Sequence, residues 1–496
     1  MKYNSFPDAL ISKVKTHPDK TFIIEGKKHF TYKQHLAAAL SFSDRLSELG
    51  VKKGDRVIIC TSQTISCLNA FMGSHITGAV IVPVEGKTPP ARIREIQKMV
   101  NASATIASEA VTNECRFIDI SAAELISERY SNNIPFEALP AFPKPDDILS
   151  IMFTTGTTGK SKGVVLTVDS QMAVAENACS NIYKEEGKVV LIIPTLSHAF
   201  GIRRSQQIML AGGTVVLLNK LFTPKAFFDE IRNNNVHIVA ITPAHITLIL
   251  NLAEREFREI GNQLEMIDFS GAGIPEPIKE KLVGLLPNTK LVSTYATTEA
   301  GAIFFAEFHE MMNKKQCLGR PANSKEVFIG DSNGIPIGIG PDTIGRICIT
   351  GRTVMKEYYN EPELTNSVLK KGRLITADLG YVDKEGLYYI VGRNDDVIIS
   401  GAFKISPQEI EDIAIQMPDI EDCACVPVED EIMGSVPKLF VVMRNNSEFS
   451  FKAINDYLAV RLEKALLPRY IEPIEKIPRT SSGKISRYKL KGGIDL

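Results

Sequence analysis

Short runs of β-branched residues alternate with longer amphipathic stretches along the first two thirds of the chain. The runs that we predict as strands are residues 56–59, 189–193, 213–218, 236–241 and 290–292. Strands that alternate with helix-length stretches are typical of layered α/β folds, in which helices cover the faces of a sheet. We therefore predict an α/β body.

Three helices can be placed from capping signals and apolar spacing. Thr31 can cap a helix in which Leu36, Leu40, Leu46 and Leu49 recur at helical intervals before Gly50 closes it. A second helix is predicted at 91–100, and a third at 223–232, which opens on Thr223-Pro224.

The pattern changes after Asn323, where glycine-rich turns separate short alternating strands. This texture predicts a β-barrel-like or sheet subdomain attached to the α/β body, including a hairpin at 381–391 with its turn at 383–386. A charged tetrapeptide at 393–396 marks a boundary. We predict a large N-terminal domain at 1–394 and a small α+β domain at 395–496, with helices at 407–416 and 451–465.

Composition limits the classes of partner. The 496 residues carry a formal net charge of -1, which argues against nucleic-acid and anionic-membrane partners because both favour a basic excess. The N-terminus has no apolar signal-peptide core, and the apolar segment 238–253 is too short to span a bilayer, so we expect a cytoplasmic protein. The 8 cysteines lack metal-site or redox spacing and are expected to pack as small hydrophobes.

One segment, 153–164, combines glycines, threonines and two lysines between apolar runs. Glycines let backbone N–H groups turn toward one point, threonine hydroxyls add donors, and lysine supplies positive charge, so the segment is suited to holding phosphate. It is not a Walker loop, because Thr154 stands where that motif requires glycine. A plain Gly/Thr surface turn is the alternative interpretation.

The same segment resembles the nucleotide loop of the adenylate-forming (AMP-binding) superfamily of acyl-CoA synthetases, luciferases and peptide-synthetase adenylation domains. Ser161 stands where the family pattern has proline. Further matches follow in the family's order along nearly the whole chain: 18–20, 31–32, 49–57, 78–83, 194–201, 270–273, 295–299, 319–321, 376–380, 392–396 and 478–485. Each match is weak alone, but their order and spacing together are strong.

The resemblance implies a reaction in which ATP converts a carboxylate into an acyl-adenylate with release of pyrophosphate, before a thiol takes the acyl group. Such chemistry depends on positioning and on stabilising charge that grows on phosphorus oxygens. It implies ATP and Mg²⁺ as cofactors, a small carboxylic acid as substrate, and coenzyme A or the phosphopantetheine of a carrier protein as acyl acceptor.

The resemblance also implies site residues. Those expected to bind ATP are Thr154, Thr155, Gly156, Thr157, Thr158, Gly159 and Lys162 at the phosphates, Gly271, Ala272, Gly273 and Tyr295 around adenine, Asp378 and Arg393 at the ribose or phosphate, and also Ala296, Thr297, Thr298 and Lys484. Glu299 and Thr154 would hold Mg²⁺, which favours hard oxygen ligands. The alternative for Glu299 is a helix-capping carboxylate.

The walls of the acid pocket are expected to be His198, Thr242, His245, Ser270 and Ala296. Ala296 replaces a glycine usual in the family, and its methyl group should narrow the pocket. His198 lies where the family commonly has a residue that gates the carboxylate, although a lone histidine is often structural. Residues 202–205 offer no aspartate to hold an ammonium, which favours a plain acyl or aryl acid over an amino acid.

Lys484 is the strongest catalytic candidate, because it lies in a polar loop beside Gly483, although a solvated surface lysine is the commoner fate of this residue type. The resemblance implies that it bridges the carboxylate and the α-phosphate, with Thr154, His198 and Glu299 completing the catalytic set. Asp395 resembles the hinge about which a mobile C-terminal domain swings, with a surface aspartate as the alternative. Ser400, Gly401 and Ala402 would face the thiol channel.

Three functions remain open from the sequence. The first is an AMP-forming acid–CoA ligase, and the second performs the same adenylation but transfers the acyl group to a carrier protein. The third is a nucleotide-binding regulator without catalysis, against which Glu299, Asp378, Arg393 and Lys484 count.

Overall fold

The structure is a computed structural model that describes most of the chain. The described residues are 3–110, 115–154, 162–261, 263–323, 326–393, 398–400, 403–430, 434–445, 447–462, 466–479 and 484–491. We call the part up to Arg393 the large lobe and the part from Ile398 onward the C-terminal lobe.

The described helices and strands are as follows. The helices are α1 (Phe6–Thr16), α2 (Tyr32–Glu48), α3 (Ile65–Thr77), α4 (Pro90–Val100), α5 (Glu128–Ser131), α6 (Val168–Asn181), α7 (Ala199–Leu210), α8 (Pro224–Asn233), α9 (Pro243–Gly261), α10 (Glu276–Leu285), α11 (Pro362–Val368), α12 (Pro407–Ala414), α13 (Phe451–Ala459) and α14 (Arg487–Leu490). The strands are β1 (Thr21–Glu25), β2 (Lys28–Thr31), β3 (Arg56–Thr61), β4 (Val80–Glu85), β5 (Ala102–Ala107), β6 (Arg116–Asp119), β7 (Ile148–Thr154), β8 (Lys162–Thr167), β9 (Val189–Ile192), β10 (Thr214–Leu217), β11 (Ile238–Ile241), β12 (Met266–Ser270), β13 (Lys290–Thr297), β14 (Gly301–Glu307), β15 (Cys317–Pro321), β16 (Val327–Gly330), β17 (Gly345–Ile349), β18 (Glu357–Tyr358), β19 (Leu369–Lys370), β20 (Arg373–Val382), β21 (Tyr388–Arg393), β22 (Ile398–Ser400), β23 (Phe403–Ile405), β24 (Ile420–Asp430), β25 (Gly434–Met443) and β26 (Tyr470–Pro473).

The large lobe is built on two sheets with helices between and outside them. One sheet runs β18-β8-β7-β4-β3-β5-β6 and the other runs β16-β17-β20-β21-β15-β14-β13-β12-β11-β9-β10-β1-β2. Apolar residues of α1, α2, α3, α6 and α7 fill the space between the sheets, α4 covers the outer face of the first sheet, and α8, α9 and α10 cover the outer face of the second. This layered α/β arrangement confirms the predicted fold class.

The predicted elements agree with the observed ones at most positions. Thr31 and Gln34 form a capping box at the start of α2, and Thr223 caps α8. The strands after Asn323 form an antiparallel sheet that joins β14 through β15, and β20 and β21 form the predicted hairpin. The prediction of a helix over 451–465 was wrong at its C-terminal end, because α13 ends at Ala459.

The described part of the C-terminal lobe has its own sheet and core. Its strands run β23-β22-β25-β24, with β26 on β25, and its apolar cluster joins residues such as Ile398, Ile410, Leu439 and Leu458. A separate core allows the lobe to act as one packing unit.

From sequence, the apolar segment 238–253 was predicted to be too short to span a bilayer, and the cysteines were predicted to pack as small hydrophobes. Within the described residues, no helix combines the length and the apolarity that crossing a bilayer requires. All cysteines are free thiols, and all but Cys115 and Cys179 are buried. Their packing as small hydrophobes is confirmed for these buried ones.

Gly319 lies in β15, which joins β14 to β21 within the antiparallel end of the long sheet. Its φ is +84°, and a Cβ atom there would lie 2.2 Å from the carbonyl oxygen of Phe305. A contact of that length with a paired backbone oxygen cannot be relieved by a rotamer change. Glycine is therefore required at this position.

We predict that Gly319→Ala lowers the free energy of unfolding by roughly 3 kcal/mol or more, because it adds a backbone clash to left-handed strain. Gly372→Ala is the matched control, since Gly372 has a φ of +76° but nothing within 4 Å of its built Cβ. The Gly372 variant should lose only about 1 kcal/mol of unfolding free energy, from the left-handed backbone strain. Thermal unfolding of both variants is the measurement, and equal losses would contradict the clash.

Asp412 in α12 joins the two lobes. Its Oδ2 accepts a hydrogen bond from Gln316 Nε2 of the large lobe at 3.0 Å, and its Oδ1 accepts one from Gln408 at 2.8 Å. Burial, with a smaller contribution from the nearby Glu276, raises the pKa of Asp412 to about 6, although Gln408, Lys279 and Lys315 act to lower it. Burial therefore favours the protonated carboxyl group, whereas the amide donors favour the carboxylate.

We predict that the folded protein loses stability as the pH rises, because Asp412 must then carry its charge in a buried position. Because the pKa of Asp412 lies above its ordinary 3.8, its stabilising effect is complete below that value and is lost as the pH passes about 6. Asp412→Asn should keep the hydrogen-bonding shape and reduce the loss of stability between acidic and neutral pH by on the order of 1–2 kcal/mol. Thermal unfolding of the parental protein and of Asp412→Asn at both pH values tests this prediction. If stability changes with pH identically in both proteins, Asp412 is not the cause.

Candidate active site

The predicted pocket residues meet at the carboxyl ends of the parallel strands. His198 caps α7 after β9, Thr242 follows β11, and Ser270 ends β12. In open α/β sheets this edge is where ligands bind. The Thr242 hydroxyl lies 2.7 Å from His245 Nδ1, and the Ser270 hydroxyl donates to the Thr294 carbonyl at 3.0 Å.

Ala296, which follows in β13, is solvent-exposed at this edge. Burial lowers the pKa of both His198 and His245 below the ordinary 6.5. The two rings are therefore predominantly neutral at pH 7, which suits a pocket for an anionic acid only if another group supplies positive charge.

Glu299 is held between the two sheets. Its Oε1 accepts a hydrogen bond from the Tyr358 hydroxyl at 2.7 Å, and its backbone carbonyl accepts one from the Met355 N–H at 2.6 Å. Tyr358 belongs to β18 of the first sheet, whereas Glu299 follows β13 of the second. The carboxylate is thus oriented by a residue from the opposite sheet.

Lys162 Nζ lies 5.7 Å from the centre of the Tyr358 ring. This position brings the positive charge that follows the phosphate-loop segment close to Glu299. The arrangement places a cation and a carboxylate on either side of one tyrosine.

Asp378 forms a second anchored carboxylate. Its Oδ2 accepts a hydrogen bond from the Tyr295 hydroxyl, and its Oδ1 lies 3.7 Å from Arg393 Nη1. Asp378 and Arg393 are direct partners in the β20–β21 ladder, so the hairpin itself aligns them. Burial and the Asp378 charge raise the pKa of Tyr295 well above 10.0, which keeps its hydroxyl protonated as a donor.

Lys484 of the C-terminal lobe reaches the same cleft. Burial lowers the pKa of its ammonium group, as does the charge of Arg393, while Asp378 and Glu299 raise it. Its charge also lowers the pKa of His198. As a residue Lys484 is solvent-exposed, so the lowering of its pKa reflects only the protein atoms around its ammonium group. The structure therefore brings Lys484 together with Glu299, Asp378, Arg393 and His198.

Two predicted groups lie partly or wholly outside the described residues. Thr154 ends β7 and pairs with Lys162 across the β7–β8 ladder, but Thr155, Gly156, Thr157, Thr158 and Gly159 are outside the described part. The same holds for Asp395, Gly401 and Ala402, and Ser400 is described only as the backbone of β22.

Sequence reasoning missed Arg203 and Tyr358. The Arg203 guanidinium donates to the carbonyl oxygens of Thr297 and Thr298 at 2.9 and 2.8 Å, and so fixes the backbone just before Glu299. Burial lowers the pKa of Arg203 to about 10. Two adjacent arginines within one helix-length segment were the available signal for Arg203. Tyr358 offered none, since its partner lies far away in sequence.

A metal site is not prebuilt in the described residues, where no group of three or more His, Cys, Asp or Glu side chains could hold an ion. Glu299 offers a carboxylate that Tyr358 holds in a fixed orientation. Mg²⁺ commonly keeps several waters and binds through one or two carboxylates together with substrate phosphates, so this donor set fits an ion that arrives with a nucleotide.

Family models match the two lobes separately. The AMP-binding enzyme family matches residues 10–359, and the AMP-binding enzyme C-terminal domain matches residues 409–484. The first match covers more than half of the chain. This protein therefore belongs to the AMP-binding enzyme family.

Several characterised proteins are similar over nearly the whole chain. 4-Coumarate–CoA ligase 3 of Arabidopsis thaliana is 29% identical over 97% of this chain and 89% of its own length, and 2-succinylbenzoate–CoA ligase of Geobacillus sp. (strain WCH70) is 25% identical over 98% and 97%. The o-succinylbenzoate CoA synthetase from Bacillus subtilis, solved with its acyl-adenylate intermediate, has a TM-score of 0.87 at 23% identity, covering 99% of this chain and 98% of that chain.

A further solved structure shares the fold. ATP-bound MatB from Rhodopseudomonas palustris has a TM-score of 0.87 at 20% identity and covers 99% of each chain. At these identities the structural likeness establishes the shared fold of both lobes.

We predict that Tyr358→Phe weakens ATP binding about tenfold, because loss of a hydrogen bond to a charged carboxylate costs roughly 1.5 kcal/mol and leaves Glu299 misoriented. Tyr359→Phe is the matched control, since the Tyr359 hydroxyl makes only a long 3.5 Å contact with the Val100 carbonyl. Titration calorimetry with ATP and Mg²⁺ is the measurement. Equal affinities of the two variants would show that the Tyr358 hydroxyl does not matter.

Proposed function

We propose that this protein is an AMP-forming acid–CoA ligase. It activates an acyl or aryl carboxylic acid with ATP, releases pyrophosphate, and transfers the acyl group to the thiol of coenzyme A. The observation that carries the proposal is the convergence of Lys484 from the C-terminal lobe with Glu299, Asp378 and Arg393 of the large lobe. The CoA-ligase names of its full-length relatives support the same reaction class.

The nucleotide is bound mainly by the large lobe in this proposal. Residues 154–159 and Lys162 contact the β- and γ-phosphates, and residues 271–273 with Tyr295 enclose the adenine. Asp378 accepts hydrogen bonds from the ribose, because a carboxylate is the natural partner for two hydroxyl donors. The segment 296–298 completes the site, and Arg203 fixes the carbonyl oxygens of Thr297 and Thr298.

Glu299, with Thr154, would hold Mg²⁺, which neutralises phosphate charge when it is bound. Tyr358 keeps the Glu299 carboxylate pointed into the cleft through its 2.7 Å hydrogen bond. Preorganised orientation of this kind avoids reorganisation during the reaction.

The acid lies near His198 with its carboxylate toward Lys484. In the adenylation step the carboxylate oxygen bonds to the α-phosphorus while the bond to pyrophosphate breaks. The Lys484 ammonium, bridging the carboxylate and the α-phosphate, stabilises the negative charge that develops on the phosphorus oxygens. A second step transfers the acyl group to the thiol and releases AMP.

The two steps need different arrangements of the lobes. We propose a large adenylation domain at 1–394 and a mobile domain at 395–496, with Asp395 as the hinge. After adenylation the small domain would withdraw Lys484 and bring residues 400–402 to the thiol channel. The free thiols and the balanced charge support a cytoplasmic location for this chemistry.

Carboxylate-dependent pyrophosphate exchange tests the proposal. A panel of carboxylic acids that includes 4-coumarate and 2-succinylbenzoate should contain at least one that supports exchange. Transfer of the product to free coenzyme A, rather than to a carrier protein, identifies the acceptor. ATP turnover to ADP, or binding of ATP without exchange on any acid, would refute the ligase.

We predict that Lys484→Ala lowers the rate of pyrophosphate exchange by on the order of 10² to 10³, the scale for losing one charge-stabilising donor. Lys476→Ala is the control, because Lys476 is an exposed lysine of the same lobe. It should retain the parental rate. An undiminished rate in the Lys484 variant would remove this residue from the mechanism.

A further inference from the structure

The walls of the acid pocket continue inward to a second set of side chains. Asp268 lies two residues before Ser270 in β12, and Thr294 lies two residues before Ala296 in β13. Alternate residues of a regular strand point to the same face, so Asp268 follows Ser270 into the protein. β13 has a register shift between Tyr295 and Ala296, and Thr294 is placed beside Asp268 by its hydrogen bond. On α7, Arg204 lies six residues after His198.

These three inner residues are bound to one another. Arg204 Nε and Nη2 donate to Asp268 Oδ2 and Oδ1 at 2.5 and 3.2 Å, and Nη2 also donates to the Thr294 hydroxyl at 3.2 Å. The Thr294 hydroxyl donates to Asp268 Oδ1 at 2.8 Å. The bidentate geometry is the strongest form of an arginine–carboxylate pair.

Two more residues complete the cluster. The Tyr183 hydroxyl donates to Asp268 Oδ2 at 3.1 Å, and Arg204 Nη1 donates to Gln207 Oε1 at 2.6 Å. The relative exposures of Arg204, Asp268 and Thr294 are 2%, 0% and 4%, so the cluster is closed to solvent. We call this set the floor: Arg204, Asp268, Thr294, Tyr183 and Gln207.

Phe200 lies over the floor from the pocket side. It is one helical turn before Arg204, and the guanidinium carbon of Arg204 is 5.0 Å from the centre of its ring. Phe200 is only half-buried, whereas Arg204 beneath it is fully buried. The partly accessible aromatic ring therefore covers the guanidinium group of the buried ion pair.

The spacing of residues along α7 and β12 sets the distance from the walls of the acid pocket to the floor. Six helical residues separate His198 from Arg204 by about 9 Å, and two strand residues separate Ser270 from Asp268 by about 7 Å. The floor cannot yield to a longer substrate, because breaking the pair would leave a buried charge unpaired. It also offers no net charge, since Arg204 is balanced by Asp268.

We propose that the Arg204–Asp268 floor, capped by Phe200, restricts this enzyme to short monocarboxylic acids. The inference rests on the proposed ligase function and specifies its substrate class. Long-chain and extended aryl acids are excluded by the closed floor, and dicarboxylic acids gain nothing because the floor is neutral. Ala296 narrows the same pocket at its mouth.

The first test uses the parental enzyme. Pyrophosphate exchange is measured with straight-chain acids from acetate to laurate, with extended aryl acids, and with short dicarboxylic acids. We expect kcat/KM to peak at a short monocarboxylic acid and to fall by about tenfold or more for each class of longer acid, the scale of discrimination by a hydrophobic pocket. Efficient use of laurate, an extended aryl acid or a dicarboxylic acid would contradict the proposed role of the floor. It would not contradict the proposed ligase function. If none of the tested acids supports pyrophosphate exchange, the ligase function itself is refuted.

The second test opens the floor. Phe200→Ala leaves the ion pair in place, and Arg204→Ala combined with Asp268→Ala removes both charges together. Each should shift the preference toward longer acids by about tenfold in the ratio of kcat/KM values. The matched control is Arg352→Ala combined with Asp169→Ala, which removes an exposed ion pair at 2.6 Å. It should leave the ratio unchanged.

If the double variant of the floor does not fold, Phe200→Ala decides the question alone. An unchanged ratio of long to short acids in folded Phe200→Ala, together with a normal rate on the short acid, would show that the floor does not set the length.

Discussion

The need to satisfy two buried guanidinium groups organises the centre of this molecule. Arg203 and Arg204 follow each other on α7, and each reaches a different part of the second sheet. An arginine carries five N–H donors and cannot lose its charge, so a buried one must find carbonyl or carboxylate partners. Arg203 takes the carbonyls of Thr297 and Thr298, and Arg204 takes Asp268, so one helix fixes both the turn before Glu299 and the end of β12.

The reactive groups are oriented by tyrosines rather than by neighbours in sequence. Tyr358 holds Glu299, and Tyr295 holds Asp378, and burial raises the pKa of both phenols so that they remain donors. A carboxylate that accepts a hydrogen bond from a buried phenol is fixed in direction. Both acids belong to the second sheet, but Glu299 is held by a tyrosine of the first sheet and Asp378 by a tyrosine of its own sheet.

Local sequence signals were sufficient to predict many of the helices and strands. They were sufficient to predict only part of the candidate active site. The capping box at Thr31 and the turn at 383–386 are encoded by residues a few positions apart, so α2 and the β20–β21 hairpin could be predicted from sequence. The hairpin also aligns Asp378 with Arg393 without any distant contact. Lys484 and Glu299 were inferred through the family resemblance, because no local pattern relates positions so far apart.

What could not be predicted depends on packing between sheets. The Tyr358–Glu299 hydrogen bond requires the edge strand β18 to pair with β8, and the Arg204–Asp268 pair requires a particular rotation of α7 over β12. Such contacts follow from the tertiary arrangement, which hydrophobic periodicity specifies only coarsely. The end of α13 at Ala459 was missed for a similar reason, since an amphipathic pattern does not say where a helix stops without a capping signal.

Arg487, three residues beyond Lys484, bonds to the buried Glu411 at 2.6 Å and to the carbonyl of Cys425 at 3.1 Å. The loop that delivers the ammonium is thereby fastened to the interior of its own lobe. The position of the Lys484 ammonium is therefore tied, through Arg487, to the position of the C-terminal lobe as a whole. In the proposed two-step reaction, the charge would leave the cleft with that lobe and not through a rearrangement of its own segment.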